Sequence, residues 1–155
     1  MATSIAPGNP SYEFDDRNIR WFELGDFKHF VLSMLDIDRP KKLVDFIIKF
    51  DPNEKIFLHR HLVHTNTLVV QGEHRLYEPN GRLKEVRPVG SYTSSPPGEP
   101  HREGAGDQSC VVFYSLRADQ DAMFEVLDDD QKVVGTLGMQ DFIGALEDQK
   151  RARGA

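Results

Sequence analysis

Along most of the chain, apolar residues gather in short runs that end in turn formers, and in one of them they recur at every second position. Residues 43–50, Leu-Val-Asp-Phe-Ile-Ile-Lys-Phe, show this: Val44, Phe46, Ile48 and Phe50 fall on one face, Asp45 and Lys49 on the other. That is the pattern of a half-buried strand. Further strand-like runs lie at 30–37, stopped by Arg39 and Pro40, and at 67–72, a β-branched stretch closed by Gly72. The runs at 75–78 and 83–86 flank Pro79-Asn80-Gly81-Arg82, where Asn-Gly is a strong hairpin signal. Others lie at 91–94 and 109–116. Residues 123–127 and 132–137 are expected to pair across Asp128-Asp129-Asp130-Gln131, read as a solvated acidic turn rather than a calcium loop. Trp21 and Phe22 open the apolar content and are read as strand as well. Helical spacing is confined to residues 139–152, where Met139, Phe142, Ile143 and Leu146 line one side of a charged segment.

Many short strands separated by turns, with one terminal helix, predict an all-β sandwich or barrel. The expected organisation is an N-terminal arm over residues 1–15, loose or draped over a partner subunit, a β-domain over 16–137, and a C-terminal helix over 138–155. A chain of 155 residues fits one domain able to bury a core without disulfide staples. The formal charge of −6, with Lys and Arg scattered, argues against nucleic-acid binding. Cys110 is the single cysteine and sits in an apolar run, so it is read as a small buried hydrophobe in a reducing compartment. The N-terminus lacks a charged and then apolar leader, and no apolar run is long enough to span a bilayer. The expectation is a soluble cytoplasmic protein with no nucleic-acid or membrane partner. Exposed strands on a small β-domain make a homodimer the expected assembly.

The chemistry concentrates in residues 56–64, Ile-Phe-Leu-His-Arg-His-Leu-Val-His, and in Pro96-Pro97-Gly98-Glu99-Pro100-His101. His59 and His61 are two apart, and on a strand such side chains share a face, so both imidazoles can meet at one point. That is metal-ligand spacing for a strand, whereas a helix would need three or four residues between ligands. His64 breaks the register. It could join the ligands if the chain bends after Leu62, but supporting the site or the turn is the favoured role. His29 and His74 have no partner in sequence and are read as ordinary histidines.

His59-Arg60-His61 with Gly72, followed by Gly90, Pro96, Gly98 and His101, resembles the two motifs of the cupin superfamily. The resemblance covers roughly residues 40–117. It implies a single-domain double-stranded β-helix, a jelly-roll barrel, with a C-terminal helix and with the motif histidines inside as metal ligands. Two positions depart from the pattern. Where the first motif carries a glutamate, this chain has Asn66 or, by another spacing, Thr65; where the second ends in asparagine, it has Ala105. The expected centre is therefore His59, His61 and His101 without a carboxylate. A divalent ion there would keep its full double charge and attract an anionic chelating substrate.

Three-histidine iron cupins include β-diketone-cleaving, dihydroxyacetophenone and thiol dioxygenases, and residues 127–143 look like the acidic hairpin and terminal helix of the first two. The resemblance thus implies Fe(II), with Zn, Ni or Mn as other candidates, a small β-diketone or hydroxyketone substrate, dioxygen, and carbon-carbon bond cleavage. Glu99, Glu103 and Arg102 flank the third ligand as candidate catalytic residues. Alternation turns Glu103 the same way as His101 and Arg102 the opposite way, so Glu103 is the stronger candidate. Two other functions fit the same residues: a zinc hydrolase or lyase, and a non-enzymatic cupin that senses a metal or ligand.

Overall fold

The structure, a computed structural model, describes residues 3–4 and 13–154. The arm expected over residues 1–15 falls largely outside them. The described chain forms β1 (Phe30–Asp38), β2 (Leu43–Phe50), β3 (His59–His61), β4 (His64–Gln71), β5 (His74–Tyr77), β6 (Leu83–Arg87), β7 (Tyr92–Ser95), β8 (Arg102–Ala105), β9 (Cys110–Arg117), β10 (Ala122–Leu127), β11 (Val133–Gly138) and α1 (Met139–Gly154).

Backbone hydrogen bonds join these strands into a five-stranded sheet, β1-β2-β9-β4-β7, and two three-stranded sheets, β11-β10-β3 and β6-β5-β8. Every pairing is antiparallel. The crossovers are those of a jelly roll, although its ladders are not closed into one continuous ring. β2 behaves as its alternation predicts: Val44, Phe46, Ile48 and Phe50 are buried, while Asp45 and Lys49 are half-exposed. Asp45 accepts a hydrogen bond from Ser115 on neighbouring β9, and Lys49 pairs with Asp16.

The terminal helix closes the apolar interior. Met139, Phe142 and Ile143 are buried, and the Phe46 ring stacks on Tyr114 at 5.0 Å and on Phe142 at 5.7 Å between centroids. Gln149, one turn beyond Leu146, is also buried. Its amide accepts from the Met34 N–H at 2.7 Å and donates to the Met34 carbonyl at 3.2 Å, beside the irregularity in β1 between Met34 and Asp36. A polar side chain there repairs backbone groups that the ladder leaves open.

Two local expectations change, and a third element forms as alternation required. Trp21 and Phe22 make a single bridge, Phe22 to Leu32, and not a strand, because Gly25 at φ +52° turns the chain soon after. The 56–64 run is not continuous: the ladder breaks after His61 and resumes at His64 in a different sheet. The stretch after His101 forms β8, where a Cβ on Gly104 would collide with the Glu54 carbonyl, so the glycine lets the two backbones approach. At Gly72 the motif glycine is needed for two reasons, since φ is +69° and a Cβ would lie 2.7 Å from the Ser109 carbonyl oxygen.

Candidate metal centre

β3 carries His59 and His61 and is held by β10, with Val126 opposite His59 and Phe124 opposite His61. His101 arrives from the proline-rich turn and exchanges both backbone hydrogen bonds with His59, at 3.0 and 2.9 Å. Glu103 follows two residues on in β8, so alternation aims it the same way as His101. One nitrogen from each of the three histidines and one oxygen of Glu103 all lie within 4.8 Å of one another.

The correction to the sequence expectation is the carboxylate. Position 66 holds no acid, as expected, but Glu103 stands among the histidines, and a bound ion's double charge would be partly balanced there. Its Oε2 is 2.6 Å from His59 Nε2, 3.6 Å from His61 Nε2 and 3.5 Å from His101 Nε2. Its Oε1 accepts from the Tyr114 hydroxyl at 2.6 Å and lies 2.7 Å from His74 Nε2. His74, read from sequence as an ordinary histidine, is fully buried and stacks on Phe50. Nothing in the sequence ties His74 or Tyr114 to the motif histidines; β5 and β9 bring them there.

Proton bookkeeping explains what this cluster is for. His59 Nδ1 donates to the Phe57 carbonyl at 2.9 Å, and His101 Nδ1 donates to the Glu99 carbonyl at 3.0 Å. His61 Nδ1 lies 3.1 Å from the Thr65 hydroxyl, whose own proton goes to the Val63 carbonyl. All three neutral rings are thus held in the tautomer that leaves Nε2 bare. Three lone pairs and an anionic carboxylate then face one another, His59 and His61 Nε2 only 3.2 Å apart, and His101 Nε2 is buried with no hydrogen-bond partner. Acceptors converging without a donor repel unless a cation or protons sit between them. Imidazole nitrogens and a carboxylate, each backed by a hydrogen bond, are the donor set of a divalent first-row metal, so the residues present fit such an ion.

Burial pushes the His61 imidazole down to about 4, against the pull of Glu103. For His101 burial acts the same way, but the Glu103 carboxylate 3.5 Å from Nε2 outweighs it and raises its pKa. Burial opposes ionisation of Glu103, yet contacts with His101, His59, His61 and His74 hold its carboxyl well below the usual range. The Tyr114 phenol is driven well above 10 by burial and by Glu103, which keeps it a neutral donor.

The remaining candidates lie apart from the cluster. His64 Nε2 engages Ser94 Oγ at 2.7 Å, and His64 is not among the converging groups. Arg102 turns away, to Asp129 at 2.8 Å and the Ile56 carbonyl at 3.3 Å. Glu99 contributes its carbonyl to His101, and its exposed side chain borders a polar cavity. Thr65, at one of the positions where the motif carries its acid, orients His61 instead. Asn66 donates to the Tyr92 hydroxyl.

No protein-family model matches the sequence, and no curated protein does. Solved structures do match by shape. An RmlC-like cupin protein from Ralstonia eutropha JMP134 superposes with a TM-score of 0.73 at 15% identity, over 90% of this chain and 87% of that one. An acetylacetone dioxygenase from Acinetobacter johnsonii superposes at 0.69 and 12% identity, over 96% and 97% of the two chains. A polyketide cyclase from Streptomyces resistomycificus superposes at 0.53 and 19% identity, over 84% and 86%. The chain has the cupin fold. Dioxygenase and cyclase share that fold, so it leaves the reaction open.

Proposed function

We propose that the protein is a non-haem Fe(II) dioxygenase that cleaves a carbon-carbon bond of a small β-dicarbonyl or hydroxyketone. The observation that carries this reading is the convergence of His59, His61 and His101 Nε2 with Glu103 beside an apolar chamber. Those four residues would hold the ion, and iron there would supply Lewis acidity toward a chelating enolate together with redox reactivity toward dioxygen. With four protein donors, a six-coordinate ion would keep about two positions for substrate.

The surrounding residues give that chemistry its setting. Phe57, Phe124 and Phe142 wall the chamber on the His59 and Glu103 side and keep it dry. The backbone carbonyls of residues 57 and 99 and the Thr65 hydroxyl fix the ring tautomers, while Tyr114 and His74 fix the carboxylate. The acetylacetone dioxygenase likeness supports the choice of reaction class, and the cyclase likeness marks its main competitor, non-oxidative chemistry at the same donors.

Elemental analysis of protein purified without added metal, followed by an oxygen electrode, tests the proposal. Iron near one per chain and oxygen uptake on adding pentane-2,4-dione or a related β-dicarbonyl are expected. Tightly held zinc with no oxygen uptake would instead favour a hydrolase, lyase or sensor.

A further inference from the structure

The centre faces two unlike cavities. The apolar one, about 40 Å³, touches His59 and Glu103. Its lining is almost wholly apolar, a setting suited to an uncharged molecule such as dioxygen. The polar one, about 200 Å³, touches His61, His101 and Glu103, and is the larger of the two and the one with polar groups to orient a substrate. Arg87, Lys84 and Glu85 line that same polar cavity.

Arg87 is the under-satisfied group in it. The side chain is only 15% exposed; Nη2 donates to Glu85 at 3.1 Å, and Nη1 reaches the Thr93 hydroxyl only at 3.4 Å. That hydroxyl is already engaged with Thr67, and the Arg87 Nε is buried with no partner at all. A buried cationic donor without an acceptor is costly, and a guanidinium is shaped to accept a carboxylate across two N–H groups. Lys84 adds a second positive charge. Of the facing acids, Glu85 is already bound to Arg87, Glu99 is exposed, and Glu103 is engaged with the histidines and Tyr114.

We propose that this cavity docks a carboxylate of the substrate on Arg87, so that the substrate is a small keto acid, a β-dicarbonyl with an acid end, rather than a neutral diketone. This rests on the metal-centre reading: the dicarbonyl oxygens lie toward His61 and His101 while the acid end meets the guanidinium.

The test is calorimetry on metal-loaded protein without oxygen, with 2,4-dioxopentanoate and pentane-2,4-dione as probes. The acid should bind more tightly by about 10- to 100-fold, the value of one charge-assisted contact. Arg87→Gln should abolish that preference while leaving metal content and the affinity for pentane-2,4-dione unchanged, and Arg87→Lys should keep part of it. Equal affinity for the two probes, equal weakening of both by Arg87→Gln, or no binding of the acid overturns the proposal. Binding that depends on Arg87, with no oxygen uptake when the same acid is then added to metal-loaded protein in air, would sink the dioxygenase reading and leave the docking intact. If the protein takes up no metal, the Arg87 dependence of 2,4-dioxopentanoate binding to chelator-treated protein still decides the matter.

Discussion

Tyr114→Phe removes one oxygen from the interior and isolates the bond that positions Glu103. The ring is 2% exposed and stacked on Phe46, so phenylalanine can occupy the same place. What is lost is the 2.6 Å hydrogen bond from a neutral phenol to an ionised carboxylate. Bonds to charged groups contribute about 1.5–3 kcal/mol. The metal-free variant should therefore unfold about 3–12 °C below the parent for a domain of this length, with the urea midpoint lowered to match. Because the bond depends on the charge of Glu103, the loss should depend on pH. The folded carboxyl titrates well below its ordinary value of 4.5, so its contribution is complete above that value and falls away as the pH drops toward the folded pKa. The gap between parent and variant should narrow over that interval. Metal affinity, measured by chelator competition, should fall about 10- to 100-fold, as for other groups that orient a ligand. A variant that unfolds with the parent and holds metal equally well would refute the claim that Tyr114 fixes Glu103.

Other consequences follow from the same geometry. His61→Ala should abolish metal retention with the circular dichroism spectrum preserved, whereas His64→Ala should leave stoichiometry unchanged, since that ring faces Ser94; both are read by elemental analysis. In metal-free protein His61 should work against folding as pH falls from about 6.5 toward 4, because burial leaves the folded imidazole less basic than the unfolded one, while His101 with its raised pKa acts the other way; urea melts of parent and His61→Ala over that range isolate the His61 share, and equal pH dependence of the two would contradict it. Cys110, buried and with its thiol pushed up to about 12, should resist Ellman's reagent at pH 8 until the protein is denatured.

What could be read from the sequence is what local periodicity encodes. The alternation of Val44, Phe46, Ile48 and Phe50 placed β2, Asn80-Gly81 placed the β5–β6 hairpin, and the helical spacing of Met139, Phe142 and Ile143 placed α1. The His59/His61 pair was legible for the same reason, and so was the side on which Glu103 lies relative to Arg102. The assignment of Glu103 to the centre itself was not. Motif spacing led to residues 65 and 66 for the acid, whereas the bridges between residues 59 and 101 and between 55 and 104, with the Ile56 N–H donating to the Glu103 carbonyl, bring β8 close enough for residue 103 to take that place. His74 and Tyr114 were illegible because their partner is 29 and 11 residues away, across sheet pairings that no single segment specifies. Gln149 was missed for a related reason: a buried glutamine answers an irregularity in a strand 115 residues earlier.

Departure from the expected motif also alters the electrostatics of the centre. A carboxylate among three histidines lowers the net charge an ion would present, and it links the ligands to a buried tyrosine and a fourth histidine. Substrate attraction then rests less on the ion alone, which leaves a larger share to the Arg87 side of the polar cavity.

The central claim is that three bare imidazole nitrogens and one carboxylate oxygen surround a single divalent cation. Anomalous X-ray diffraction from crystals of protein purified without added metal, collected above and below the absorption edge of the metal identified by elemental analysis, tests this directly. One anomalous peak per chain is expected, bounded by Nε2 of His59, His61 and His101 and by Oε2 of Glu103. A cluster without a peak, its nitrogens bridged by protons or waters, or a peak seated elsewhere, would contradict it.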